Sequence, residues 1–293
     1  MRLVGASACV TAICPALNAL LSAPQVAAGA SPYRLLERTG AAFAALKPDT
    51  AAYVTVIGWL LHGMAEEAST DRRLAATVLA RIARLEAYRA EAGRRIAELG
   101  TSLMDGRRSV LVHDYSSSVL AVLERTAATA GPLIAYVTAA EPVRQGAKVA
   151  RLLAAQGHAV HFLPDTSVGR LIGVVDIVLT GVENLYQDGV LANTVGTFPI
   201  ALLAARARVP VYGITELLKI APHNAPEIGE LTATTLHEWP GDQVALPKAV
   251  IVHREVLDLT PAELVTGYVT EIGLLTPAGV AGALDPVLAE LER

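Results

Sequence analysis

Apolar residues recur at three- and four-residue spacing through the first hundred positions and then give way to short β-branched runs. The first pattern predicts helices. It covers "LLERTGAAFAALK", "TAAYVTVIGWLLHGMAEEA" and "TDRRLAATVLARIARLEAYRAEAGRRIAEL", with Pro32, Pro48 and the Ser69-Thr70-Asp71 cluster as punctuation. The third of these is long and charged on one face, the arrangement of a helix with a core face and a solvated face. The opening stretch, "MRLVGASACVTAICPALNALLSAPQVAAGA", has the apolar run and small residues of a signal peptide. Its apolar positions nevertheless recur at helical spacing, and Pro15 and Asn18 interrupt the run, so it reads as the first helix of the fold. No apolar run approaches the ~20 residues needed to cross a bilayer.

After "MDGRR" (104–108) the period changes, which predicts a boundary between a helical N-terminal domain, 1–105, and a second domain, 106–293. Strands are expected at 109–115, 132–138, 159–164, 175–181, 209–214 and 248–253. Helical stretches lie between most of them, including "SSVLAVLERTAATA", "QGAKVARLLAAQG", the short "VGRLIG" and "GTFPIALLAARAR". Such alternation is the pattern of an α/β fold with a mostly parallel sheet covered on both faces.

Hydrophobic residues make up 53% of the 293 and charged residues 18%, which argues against disorder. The formal net charge of -4 and the absence of a basic cluster larger than pairs such as Arg72-Arg73 and Arg107-Arg108 give no footprint for nucleic acid or an anionic membrane. Cys9 and Cys14 have no metal-ligand spacing and read as small core thiols in a reducing, cytoplasmic compartment. No pair of histidines has metal-ligand spacing with a carboxylate, so no metal is expected. No GxGxxG follows the first strand and no Walker-A pattern occurs, so no dinucleotide or nucleoside-triphosphate cofactor is expected either.

Ligands of open α/β sheets bind at the carboxyl ends of the strands. The residues expected there are polar: His113, Asp114, Tyr115, Ser116 and Ser117 after the first strand; Thr138, Glu141, Arg144, Gln145 and Gly146 after the second; and Asp165 after the third. Glu183 and Asn184 follow the fourth, with Asn193, Thr194, Gly196 and Thr197 beyond. The serines at 116–118 and the Gly196-Thr197 pair each precede a helix. Either can be an ordinary cap or, beside Arg144, a phosphate seat. Asp114 and Glu183 are the candidate acid/base pair, since unequal environments can split two carboxylates into an acid and a base. Each can also serve only to cap a loop or bind Arg144.

"VLTGVENLYQDGVLANTVGTFPIALLAARARVPVYGI" resembles the signature of a family with three groups. They are the alpha, beta and delta subunits of eukaryotic translation initiation factor 2B, methylthioribose-1-phosphate isomerase, and ribose-1,5-bisphosphate isomerase. "VLVHDYSSSVLAVLERTA", "YVTAAEPVRQGAKVARLL" and "LDLTPAELVTGYVTEIGLLTP" are similar to further segments of that family, and "LVGASA" (3–8) to its "IRGA" segment. The resemblance implies a helical N-terminal domain, a Rossmann-like C-terminal domain, a homodimer and a sugar-phosphate pocket. In the isomerase branches it implies a Cys and an Asp that move hydrogen between C1 and C2 of a 1-phosphorylated aldose. By position the Cys is Asp114 here and the Asp is Glu183. The family's "NK" is Asn193-Thr194, its "RGA" arginine is Val4, and Arg144 stands in for a missing arginine of "ETRP". Two readings follow: a sugar-phosphate isomerase-like enzyme with an altered acid/base pair, or a non-catalytic regulatory protein binding a sugar phosphate or nucleotide.

Overall fold

The computed structural model describes residues 6–22, 31–46, 50–63, 72–141, 143–227, 245–253 and 255–292. Val4, Pro48, the Ser69-Thr70-Asp71 cluster and the Cys9 side chain lie outside that description. Among the described residues four helices precede the first strand: α1 (Ala6–Leu21), α2 (Pro32–Leu46), α3 (Ala51–Leu61) and α4 (Arg72–Leu103). The opening segment is therefore a helix of the fold, and it inserts Val10, Ile13 and Leu17 into the core. Pro15 lies inside α1.

Helix α4 spans 32 residues, about 48 Å at the usual rise. Ala, Leu, Arg and Glu dominate it, all strong helix formers. Its buried positions, among them Val78, Ile82, Leu85, Ala92 and Ile96, follow the three-and-four spacing of its sequence. The first half packs with α1 and α3 against Leu185, Leu191, Leu217, Ile220 and Tyr268. Ile96, near its other end, joins a second core with Val110, Val122, Leu123 and Ile177. One helix thus connects the helical layer to the sheet.

The strands are β1 (Ser109–His113), β2 (Ile134–Thr138), β3 (Ala159–Leu163), β4 (Ile177–Gly181), β5 (Asn184–Leu185), β6 (Leu191–Thr194), β7 (Val211–Ile214), β8 (Leu257–Thr260), β9 (Gly267–Thr270) and β10 (Gly273–Leu275). Seven of them form one sheet in the order β10-β9-β7-β4-β1-β2-β3. Every pairing in it is parallel except β9 with β10. The helices between are α5 (Ser117–Thr129), α6 (Gly146–Ala155), α7 (Val168–Leu171) and α8 (Thr197–Ala207), and α9 (Asp285–Glu292) ends the chain's described part. β1 and β4 are buried along their whole length, as strands covered on both faces must be. Among the described residues no helix is long and apolar enough to cross a membrane.

Two expectations need correction. Residues 248–253 form no strand, and Ile251 is 83% exposed. Among the described residues this run has no partner strand, so it has no ladder to join. The last strands of the large sheet are instead β9 and β10, which are only four and three residues long. The segment after β4 is also more than a polar tip. β5 and β6 form a hairpin around Asp188-Gly189, with Gly189 at φ 78°, and β8 adds to it as a third antiparallel strand.

Candidate active site

The strand order reverses between β1 and β4. From β1 the chain builds outward through β2 and β3, then returns to lay β4 on the other side of β1. Crevices at such switch points, outside the carboxyl ends, are where open α/β sheets bind ligands. Asp114 follows β1 directly, and Glu183 follows β4 by two residues. Both are buried, each with 8% of its surface exposed.

Asp114 adopts φ 63°, in the left-handed region that a non-glycine residue rarely occupies. Such strain persists where surrounding contacts hold it. The Thr194 hydroxyl donates to Asp114 Oδ2. Oδ1 is buried and has no hydrogen-bond partner among the described residues. Burial pushes the Asp114 carboxyl above the usual aspartate range. The Thr194 hydroxyl and the Tyr115 backbone amide pull it partly back, and Asp165 adds a smaller upward push.

His113 is fixed at both ring nitrogens. Nδ1 lies 2.7 Å from Thr138 Oγ1 and Nε2 lies 3.0 Å from the Val195 carbonyl. A side chain on Gly196, which has φ 112°, would stand 2.7 Å from that ring, so glycine is required there twice over. Asn193 donates to Thr180 Oγ1 at 3.0 Å and to Thr197 Oγ1 at 3.1 Å, which ties β6 to β4 and to the start of α8. Asn184 Oδ1 accepts the Ala51 amide at 2.8 Å, so this residue links the crevice to the helical layer at the N-terminus of α3.

The anion-seat candidates separate. Ser116 Oγ accepts the Val119 amide at 3.3 Å, an ordinary cap of α5, and Ser117 is the exposed first residue of that helix. At α8 the Gly196 and Phe198 amides donate to Asp258 Oδ2 at 2.9 and 3.0 Å. An internal carboxylate therefore takes the donors that a phosphate at Gly196-Thr197 would need. Arg144 is exposed, at φ 56°, in the loop after β2. Gln145 is partly exposed there, and Gly146 packs its α-carbon against the Thr138 and Ala139 carbonyls, where a β-carbon would collide. Tyr115 receives the Lys148 ammonium 3.6 Å from its ring centroid.

Two residues absent from the sequence-derived candidates lie at this edge. Asp258, on β8, is buried enough that its carboxyl is pushed up to about 6 despite the two amides it accepts. Lys219, in the turn after β7, is buried and donates to the Val182 carbonyl at 2.8 Å, next to Glu183. That turn is held by the helical layer. Arg89 Nε meets Glu216 at 2.8 Å, Tyr88 donates to Glu271 at 2.9 Å, and Glu271 accepts the Leu217 amide at 3.1 Å. The signal for both missed residues was a charged side chain inside or beside an apolar stretch, "LDLT" and "LLKI". Among the described residues no group of three His, Cys, Asp or Glu side chains is placed to hold a metal ion.

The model of the initiation factor 2 subunit family matches residues 3–277. The chain belongs to that family. Its relatives include enzymes and factor subunits. It is 26% identical over 251 residues to the ribose 1,5-bisphosphate isomerase of Methanocaldococcus jannaschii, covering 84% of this chain and 79% of that one. It is 30% identical over 237 residues to the methylthioribose-1-phosphate isomerase of Gemmatimonas aurantiaca, covering 75% of this chain and 67% of that one. The translation initiation factor eIF-2B of Pyrococcus horikoshii OT3 shares the fold, with a TM-score of 0.78 at 20% identity over 94% of this chain and 93% of that one.

Proposed function

We propose that this member of the initiation factor 2 subunit family is a sugar-phosphate isomerase of the aldose–ketose type, acting on a phosphorylated pentose or nucleoside-derived sugar. Asp114 and Glu183 are its acid/base pair. The observation that carries the reading is Asp114: a buried, left-handed carboxylate at the switch point, raised in pKa, with Oδ1 lacking a partner among the described residues. A carboxyl held up by burial keeps a proton nearer neutral pH and can deliver it. In this mechanism Asp114 protonates the ring oxygen as the C1–O bond of the aldose 1-phosphate breaks. Glu183 takes the proton from C2, C1 receives a proton, and the C2 hydroxyl gives up its own to become the ketone. Reactant and product are isomers, so no co-reactant is needed. The similarity to two named sugar-phosphate isomerases supports the reaction class.

One observation favours the second reading, a non-catalytic protein binding a sugar phosphate or nucleotide. Thr194 stands where the family pattern carries a lysine, and its hydroxyl is spent on Asp114. The two readings separate in a phosphorus and proton NMR time course with aldose 1-phosphates, run with and without a second phosphate. A ketose 1-phosphate product is the expected result. No conversion of any of them, together with stabilisation by a nucleotide, would establish the binding protein instead.

The same reading has the chain working as a two-fold homodimer. Leu202 and Leu203 on α8 and Val174 before β4 are exposed apolar residues that an assembly would cover. A monomeric mass by light scattering at micromolar concentration would contradict it.

A further inference from the structure

Asp258 sits opposite Asn193 in the β6–β8 ladder, far from the switch point in sequence. Its Oδ2 alone accepts both the Gly196 and the Phe198 amides. The chain from the last residue of β6 to those amides makes two contacts with the end of β1. The Thr194 hydroxyl donates to Asp114, and the Val195 carbonyl receives His113 Nε2. The same turn is fixed from behind by the Val195 amide on the Val256 carbonyl at 2.8 Å. A carboxylate on β8 therefore anchors the 196–198 end of a segment whose other end, held by the ladder, meets Asp114 through Thr194.

We infer that Asp258 is a positioning residue for Asp114, acting through the 194–198 turn and the Thr194 hydroxyl, and that it keeps the α8 N-terminus closed to an external anion. The inference rests on the proposed role of Asp114 as the acid. A substrate phosphate must then bind elsewhere in the crevice.

The test reads the Asp114 carboxyl directly in the substrate-free protein, by carbon-13 NMR titration assigned with Asp114→Asn. The Thr194 hydroxyl lowers the Asp114 midpoint, so loosening that contact must raise it. Asp258→Ala and Thr194→Val are each expected to raise it by about half a pH unit or more. The double variant should raise it no further than the larger single change, because both act through one contact. Asp258→Asn keeps an oxygen for both amides and should leave the midpoint near the wild-type value, and Thr194→Ser should do the same. If Asp258→Ala does not fold, Asp258→Ser serves, with the same upward movement expected. An unmoved midpoint in Asp258→Ala or its serine substitute would overturn the inference, as would additive shifts in the double variant. So would an Asp258→Asn variant that shifts as far as Asp258→Ala. Because no substrate is present, a moving midpoint beside absent turnover would remove the isomerase reading alone. Inorganic phosphate adds a second readout: it should stabilise Asp258→Ala more than the wild-type protein, and equal stabilisation would count against closure of the helix end.

Discussion

An aspartate accepts a pair of backbone amides at each end of the large sheet, and the surroundings shift the two carboxyls in opposite directions. Asp176, at the amino end beside β4, accepts the Arg108 and Ser109 amides at 2.8 and 2.9 Å and the Ser109 hydroxyl at 3.0 Å. It is exposed, and the Arg108 amide above all holds its carboxyl below the usual aspartate range. Asp258, at the carboxyl end, accepts the Gly196 and Phe198 amides at similar distances, but burial outweighs them and pushes it up to about 6. Hydrogen bonding is comparable and solvation is not. A carboxylate that only ties strands together is left in water, where ionisation is favourable. At the crevice edge the fold buries Asp114 and Glu271 and half-buries Asp258, and loss of solvent raises all three. Perturbed groups gathered at one sheet edge support the proposed placement of the site there.

The largest expected difference between the two ends is in the pH dependence of stability. The folded-state pKa of Asp258 is raised, so its contribution is fully present below the unfolded value and is lost as pH rises through about 6. Relative to wild type, Asp258→Asn should gain roughly 2 kcal/mol between about pH 4 and about pH 7, read from urea denaturation at each pH. A flat difference would show that the burial of Asp258 does not set its ionisation. Asp176 has the opposite sign. Its pKa is depressed, so its contribution is present above the unfolded value and is lost as pH falls through the folded one. Asp176→Ala should cost about 1 kcal/mol at neutral pH, a figure reduced by its exposure, and progressively less in acid. A cost that persists in acid would point to packing rather than charge. The smallest effect belongs to the surface of α4. There Arg94 and Arg95 hold Glu91 down to about 2, yet the pairs lie at the surface and the Glu91 side chain is 40% exposed. Glu91→Gln should leave the melting temperature unchanged within error, and a clear drop would mean that exposed ion pairs contribute more here than they usually do.

What could be read from the sequence followed from local physics. The parallel strands β1, β2, β3, β4 and β7 were legible as apolar runs bounded by turn residues, and the long periodicity of α4 announced its two faces. Asp114 and Glu183 were legible as polar residues at strand tips because a buried strand has few other reasons to end in a carboxylate. Asp258 was not. It reaches Gly196 from 62 residues away, across an antiparallel ladder that local pattern does not specify. Lys219 was hidden for a related reason. A lysine in an apolar stretch is normally solvated, and only the folded turn after β7 buries it against the Val182 carbonyl. The run at 248–253 misled in the opposite direction, since β propensity makes a strand only where a partner edge exists.

The most direct measurement is turnover of an aldose 1-phosphate by Asp114→Asn and Glu183→Gln, with ligand binding followed in the same samples by thermal shift. Both substitutions are close to isosteric, and an asparagine at 114 can still accept the Thr194 hydroxyl. The expected result is retained folding and binding, with turnover lowered about a hundredfold to ten-thousandfold in each variant. Asp176→Asn, at the far end of the sheet, should turn over like the wild-type protein. Undiminished turnover in either crevice variant would contradict the assignment of the acid/base pair.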